Sequence, residues 1–185
     1  KIAIKKGIPT IIDYFNKKTS SAIIKKYGKA KIITATNVFA HIDDINSIVR
    51  LILKTLKEDG IFISESHYLL PLIKTVQYDT IYHEHLRYYS LESLNYLFKK
   101  HNLEIINTKE IPTHGGSIRV YAAKKGVYKI SENVKKQFNK EKKYLNKKNF
   151  DKFKENVSNS KINLFNFIKK IKDKNKYIFG VGAPS

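Results

Sequence analysis

Along the first two-thirds of this chain, short runs rich in Ile, Val and Phe take turns with stretches whose apolar residues recur every three to four positions. That alternation describes strands separated by helices, and it confines the chain to a layered α/β domain. Ile8 to Phe15 is β-branched and aromatic, and reads as a strand. Ser20 to Tyr27 is a short helix, with Thr19 or Ser20 as its N-cap and Gly28 just past its end. Lys31 to Val38 reads as a buried strand. Asp43 and Asp44 open a helix whose face is Ile45, Ile48, Val49, Ile52, Leu53 and Leu56, and Asp59-Gly60 stops it. Ile61 to Ser64 is the next strand.

An irregular, aromatic-rich stretch from about Ser66 to Tyr89 comes after it. Ser90 then caps a helix, with Ser93 in an acid-free version of the capping box and Leu91, Leu94, Leu97 and Phe98 on its apolar face. Leu103 to Ile111 and Ser117 to Ala123 are two further strands, split by Pro112 to Gly116. This order predicts a doubly wound, mostly parallel sheet with a strand pair at one edge. Residues 126–175 change character, and are rich in Lys, Asn and Glu. Apolar residues from Val134 to Ile171 stand there at loosely helical spacing. One or two amphipathic helices linking domains is the expectation, with a disordered basic linker as the competing one. Tyr177 begins a new strand leading into a Gly-rich turn. The expected division is therefore 1–125, 126–176 and 177–185.

Charge is the most conspicuous compositional feature. The 36 basic and 16 acidic residues of the 185 leave a net +20. That field alone would suggest nucleic acid or an anionic membrane. Only Arg50, Arg87 and Arg119 are arginines, however, whereas base readout and bidentate phosphate contacts favour Arg. Lys is spread along the whole chain, so no specific nucleic-acid partner is expected. An anionic small substrate remains a natural use for the field. The longest stretch free of Asp, Glu, Lys and Arg is Ile32 to Ile42, far short of the roughly 20 residues of a membrane span. Cysteine is absent, which removes disulfides, Cys-ligated zinc and thiol catalysis. Lys1 in place of Met and the closing Gly180-Val181-Gly182-Ala183-Pro184-Ser185 read as a fragment of a longer protein.

Chemistry is expected where strands deliver polar groups to their carboxyl ends. The strand ending at Asn37 carries His41 just beyond it, and the strand ending at Ser64 runs into Glu65-Ser66-His67 and the long loop. A loop of that length is usually functional or disordered, and this one is too aromatic for disorder. Its segment Tyr82-His83-Glu84-His85 admits three readings. His83 and His85 could share a metal with His41. One His could act as a base, oriented by Glu84, with a Tyr donating to an oxyanion. The histidines could also be structural, as His67 and His101 are read to be. In Pro112-Thr113-His114-Gly115-Gly116-Ser117 the tandem Gly permits close backbone approach to a ligand, or simply turns the chain.

Four pieces in order, Asn37-Val38-Phe39-Ala40-His41, Asp79 to Leu86, Thr113 to Arg119 and Gly182-Ala183-Pro184, resemble the sugar C-methyltransferases. These are S-adenosylmethionine-dependent enzymes acting on nucleotide-linked keto-deoxysugars. The resemblance implies a partial class I methyltransferase domain, a helical linker and the first strand of a truncated C-terminal α/β domain. The main cofactor loop would lie upstream, as would a zinc-binding N-terminal module, the one place zinc is expected. By the same resemblance His85 is the base that makes an enolate, and Tyr82, Glu84 and His41 line the sugar. Asn37 lies near the methionine end of the cofactor, and His114, Gly115, Gly116 and Ser117 lie near the substrate. A cytoplasmic location is implied by that cofactor and substrate, and the piece alone is expected to be inactive. A basic, non-catalytic binding module on the same fold is the alternative.

Overall fold

A computed structural model describes residues 2–180. The helices are α1 (Ile2–Lys5), α2 (Lys17–Tyr27), α3 (Ile45–Thr55), α4 (Leu69–Lys74), α5 (Leu91–Lys100), α6 (Glu132–Tyr144) and α7 (Lys147–Lys172). The strands are β1 (Ala30–Thr36), β2 (Leu56–His67), β3 (Leu103–Ile111) and β4 (Ser117–Lys124), and three single 3-10 turns punctuate the loops. The sheet runs β1-β2-β4-β3. β1 and β2 are parallel, while β4 is antiparallel to both β2 and β3. This is the α/β layering that the alternation predicts, in a mixed sheet. The parallel part described is the β1–β2 pair joined by α3. The β3–β4 pair is antiparallel because only the short Pro112–Gly116 turn joins its strands, too short for a crossover.

Local chemistry moves several boundaries. Ile8 to Phe15 is not a strand: Pro9 has no N–H to donate, and the segment makes local bonds such as Thr10 Oγ1 to Ile8 O at 2.9 Å. Ile12 and Tyr14 stand 74% and 89% exposed. The α2 cap is Asn16, whose side chain accepts from Thr19 N while Thr19 bonds back to Asn16 N. Helix α3 stops at Thr55, and Leu56 already pairs with Ala30. The register then jumps, so that Ile32 faces Ile61. Gly60 is where the bulge folds back, since a Cβ there would sit 2.9 Å from Leu56 Cδ2 and 3.0 Å from the Ala30 carbonyl. Tyr177 to Gly180, expected to open a strand, has no regular structure, and the Gly-rich turn beyond it lies outside the described residues.

One core spans the helix layer and the sheet. Phe62 stacks on Phe39 at 5.5 Å, and Phe98 meets both rings edge-on at 5.9 and 6.4 Å. Val49, Ile52, Leu91, Leu94, Ile118 and Val120 close around them. Each such side chain contributes about 1.5–3 kcal/mol by leaving water. Phe39 links this core to the sheet edge, because its burial pins the turn that carries His41.

The Lys-rich segment is helical, not disordered, and α6 docks on the sheet. Val134 joins the core. Glu141, 3% exposed, accepts from the backbone N–H groups of Leu91 and Glu92 at the start of α5. A carboxylate there satisfies orphan donors and matches the helix dipole. Gln137 donates to the Tyr68 hydroxyl at 2.7 Å. Among the described residues, no helix is long and apolar enough to cross a membrane.

Candidate active site

The carboxyl end of β1 is set by Asn37, in the left-handed region at φ +54°. Asn tolerates that conformation better than most residues. Its N–H donates to Glu65 O at 2.8 Å, so β1 and β2 stay paired to the point where the chain turns. Phe39 and Ala40 then go inward while His41 stays exposed. The long loop is sewn to this turn. Leu86 N donates to Ala40 O at 2.9 Å, and the Tyr89 hydroxyl donates to Phe39 O at 3.3 Å. The Arg87 guanidinium forks to the carbonyls of Ile42 and Asp43. Nothing in the sequence singles out Arg87, whose fork matches two carbonyls that only the fold brings side by side.

Between turn and loop lies a cleft of about 520 Å³ at the carboxyl ends of β1 and β2. Asn37, His41, Tyr82, His85, His114 and Gly115, six of the expected site residues, line it. Ser66, His67, Gln77, Asp79 and Thr80 line it as well. The His41 and His85 rings stand 5.1 Å apart, and His67 lies 6.3 Å from His85.

Hydrogen bonds fix what each ring can do. His85 Nδ1 lies 3.1 Å from the carbonyl of Thr80, and a carbonyl can only accept. Nδ1 therefore carries the hydrogen, and the lone pair of the neutral ring is on Nε2. The Tyr82 hydroxyl donates to that Nε2 at 3.1 Å. His41 is tied in the same way, its Nδ1 2.9 Å from the carbonyl of Glu84, which leaves Nε2 as the acceptor. Tyr88 also donates to Thr80 O, at 3.1 Å, and burial pushes its phenol up, so it stays protonated. Two imidazoles thus present basic nitrogens, held by backbone rather than by carboxylates.

The expected residues that do not reach the cleft have plain structural places. The exposed Glu84 contributes its carbonyl, to His41; it does not orient His85, which Thr80 and Tyr82 do. Gly116 and Ser117 hold the turn. Gly116 N donates to Thr113 O at 3.0 Å, and Ser117, 1% exposed, donates to the same carbonyl at 3.2 Å. Tandem Gly is needed for close approach, but to protein: a Cβ on Gly115 would run into Gln77 Oε1, and one on Gly116 would meet Pro71 Cγ at 2.6 Å. Among the described residues, no three His, Cys, Asp or Glu side chains converge as a metal ion would need.

Gln77 joins three walls. Its Nε2 donates to Gly115 O at 2.7 Å, and its Oε1 accepts from His67 Nε2 at 3.1 Å. Sequence reasoning passes over Gln77 and sets His67 aside; a glutamine signals nothing until the loops that it ties are known. A second cavity, about 680 Å³, runs along β1 and α3, lined by apolar residues such as Ile33, Val38 and Ile48, and it reaches His41.

Residues 6–108 match the family described as Methyltransferase domain, and residues 112–185 match that described as C-methyltransferase C-terminal domain. The C-methyltransferase NovU of Streptomyces niveus is 38% identical over 122 residues, covering 66% of this chain and 29% of NovU. The chain thus spans under a third of that relative's length. Among solved structures, the SAM-dependent methyltransferase from Anabaena variabilis superimposes with a TM-score of 0.49 at 15% identity, over 67% of this chain and 63% of that one. The mitomycin 7-O-methyltransferase MmcR gives 0.49 at 15% identity, over 66% and 37%.

Proposed function

This chain belongs to the methyltransferase-domain family, and from that membership we propose that it forms part of the catalytic edge of a sugar C-methyltransferase. The reaction class is methyl transfer to a carbon beside the keto group of a nucleotide-linked deoxysugar. One observation carries the reading: His85 holds its Nε2 lone pair towards a cleft that it shares with His41, its Nδ1 fixed by the Thr80 carbonyl.

A carbonyl acidifies the hydrogen on the neighbouring carbon. His85 Nε2 takes that proton, the C–H pair becomes a C=C bond, and the carbonyl π pair moves to oxygen. General base catalysis of this kind contributes about 10²–10⁴-fold. Tyr82 gives up its bond to Nε2 as the substrate enters, and its O–H is then free to face the new oxyanion. His41 lines the same wall and accepts from a sugar hydroxyl.

S-adenosylmethionine supplies, when bound, the electrophilic methyl that the enolate carbon takes. The residues present fit its methionine end. Asn37 offers an amide donor and acceptor at the rim, and His41 borders both the cleft and the apolar cavity along β1. On this reading residues 1–125 are methyltransferase domain, and α6 and α7 within 126–176 connect it to what begins near Tyr177. A cytoplasmic location belongs to the same proposal.

The test is transfer of labelled methyl by the intact protein to a nucleotide-linked 4-keto-deoxysugar, wild type against His85→Gln. Loss of transfer with an unchanged fold supports the mechanism, and full retention ends it. Salt-sensitive binding to arbitrary DNA without any transfer would favour a basic binding module instead.

A further inference from the structure

Two buried side-chain oxygens, Ser64 Oγ and Ser66 Oγ, have no hydrogen-bond partner among the described residues. They are 1% and 2% exposed and stand two apart on β2, so they share one face of the strand. A stranded hydroxyl has lost its bonds to water without replacement, which is why buried polar groups nearly always have partners. The two serines differ in place. Ser64 pairs in register with Ala35 and Val120 inside the sheet. Ser66 is one pleat nearer the carboxyl end and lines the cleft that holds His41 and His85.

The neighbouring groups show what kind of partner is wanted. The two imidazoles present acceptor nitrogens and both ends of the Gln77 amide are engaged, while the Tyr82 hydrogen, which rests on His85 until an occupant displaces it, is one donor to a new oxyanion and leaves room for a second. Ser66 therefore holds a donor hydrogen with no other duty, in the lining of the cleft that His41 and His85 share. A ketone oxygen is an acceptor alone, and it lies one bond from the carbon adjoining the base's target. Resting on the proposed reaction, we infer that Ser66 Oγ–H donates to the substrate's carbonyl oxygen. The bond strengthens as charge collects on that oxygen, and so favours the enolate over the ketone.

Enolisation can be read apart from methylation by the uptake of solvent deuterium at the carbon beside the ketone. The probe is dTDP-4-keto-6-deoxyglucose with the intact enzyme, and labelled methyl transfer is followed in parallel. Ser66→Ala is expected to lower kcat and deuterium uptake by about 10²-fold, the usual cost of one oxyanion donor, with KM nearly unchanged. Its melting temperature should stay level or rise, since an unsatisfied hydroxyl is removed. Ser64→Ala, equally buried and unpartnered but outside the cleft, is expected to match wild type in both rates. Ser66→Ala at wild-type kcat and uptake overturns the inference and leaves the parent reaction standing. An equal loss in both variants also overturns it, because strand packing would then be the cause. Wild type giving neither uptake nor transfer overturns the parent reading, and this inference with it.

Discussion

His41 and His85 face each other at 5.1 Å, and each ring is anchored through Nδ1 to a carbonyl of the same loop, Glu84 O for one and Thr80 O for the other. Because the anchors are backbone groups, replacing His41 leaves the His85 tautomer in place. His41→Ala should therefore lower methyl transfer through weaker sugar binding, raising KM about fivefold for the one neutral hydrogen bond lost, at about 1 kcal/mol. Steady-state kinetics on the intact protein would show it, and a change in kcat alone would argue for a different role.

Arg87 ties the loop to the turn after β1 through two carbonyls. Arg87→Ala should cost about 1–3 kcal/mol per charged hydrogen bond removed and reduce amide protection at Leu86, whose N–H bonds Ala40 O. Arg87→Lys should recover only part, since an ammonium cannot fork. Denaturant melts and hydrogen exchange give the two readouts.

Gly115→Ala drives a Cβ into the Gln77 side chain at a residue with φ +73°. The clash is with the end of a side chain, and the backbone strain is separate. Gln77→Ala should thus restore part of the stability lost in Gly115→Ala, with a coupling of about 0.5–3 kcal/mol in a double-mutant cycle. Strict additivity would mean that the two do not touch.

Glu141→Ala leaves the Leu91 and Glu92 N–H groups without acceptors at a buried helix start. A loss of about 2–4 kcal/mol is expected, with α5 and α6 loosening together. Far-UV and near-UV circular dichroism during urea unfolding would register one joint transition moving to lower urea. Unfolding of α6 alone would show that it is not part of the cooperative unit.

Burial, followed by the nearby charges of Arg50 and Lys100, holds the His101 imidazole below the ordinary His value of 6.5. As pH falls, the unfolded chain takes up this proton before the folded one does. The contribution to stability is thus complete above about 6.5, is lost between there and the lower folded value, and is flat below. His101→Gln should remove that part of the slope when melting temperature is followed from pH 8 to 5. An unaltered slope would count against the assignment.

What was legible in the sequence was what local periodicity and caps encode. The α3 and α5 faces, the Ser90–Ser93 box, β1 and the β3–β4 turn all stand close to where pattern alone puts them. Asn37, His41, Tyr82 and His85 do converge: strand ends and the long loop mark them as rim residues, and the family resemblance groups them. Ile8 to Phe15 misled because β-branched residues describe a side chain's preference and not the presence of a neighbouring strand. Glu84 misled because one carboxylate among two histidines suggests an orienting partner, whereas a carbonyl, which every residue owns, does that work. Gln77 and Arg87 are illegible for a related reason, and Ser66, though its place at a strand end is legible, shows no role there. Each matters through a group that it meets, or fails to meet, across the fold.

The phenol of Tyr82 resting on His85 Nε2 has a consequence for the idle protein. With that lone pair already engaged, a substrate hydrogen can meet the imidazole nitrogen only when its bearer trades places with the phenol. Arrival and arming are then a single event.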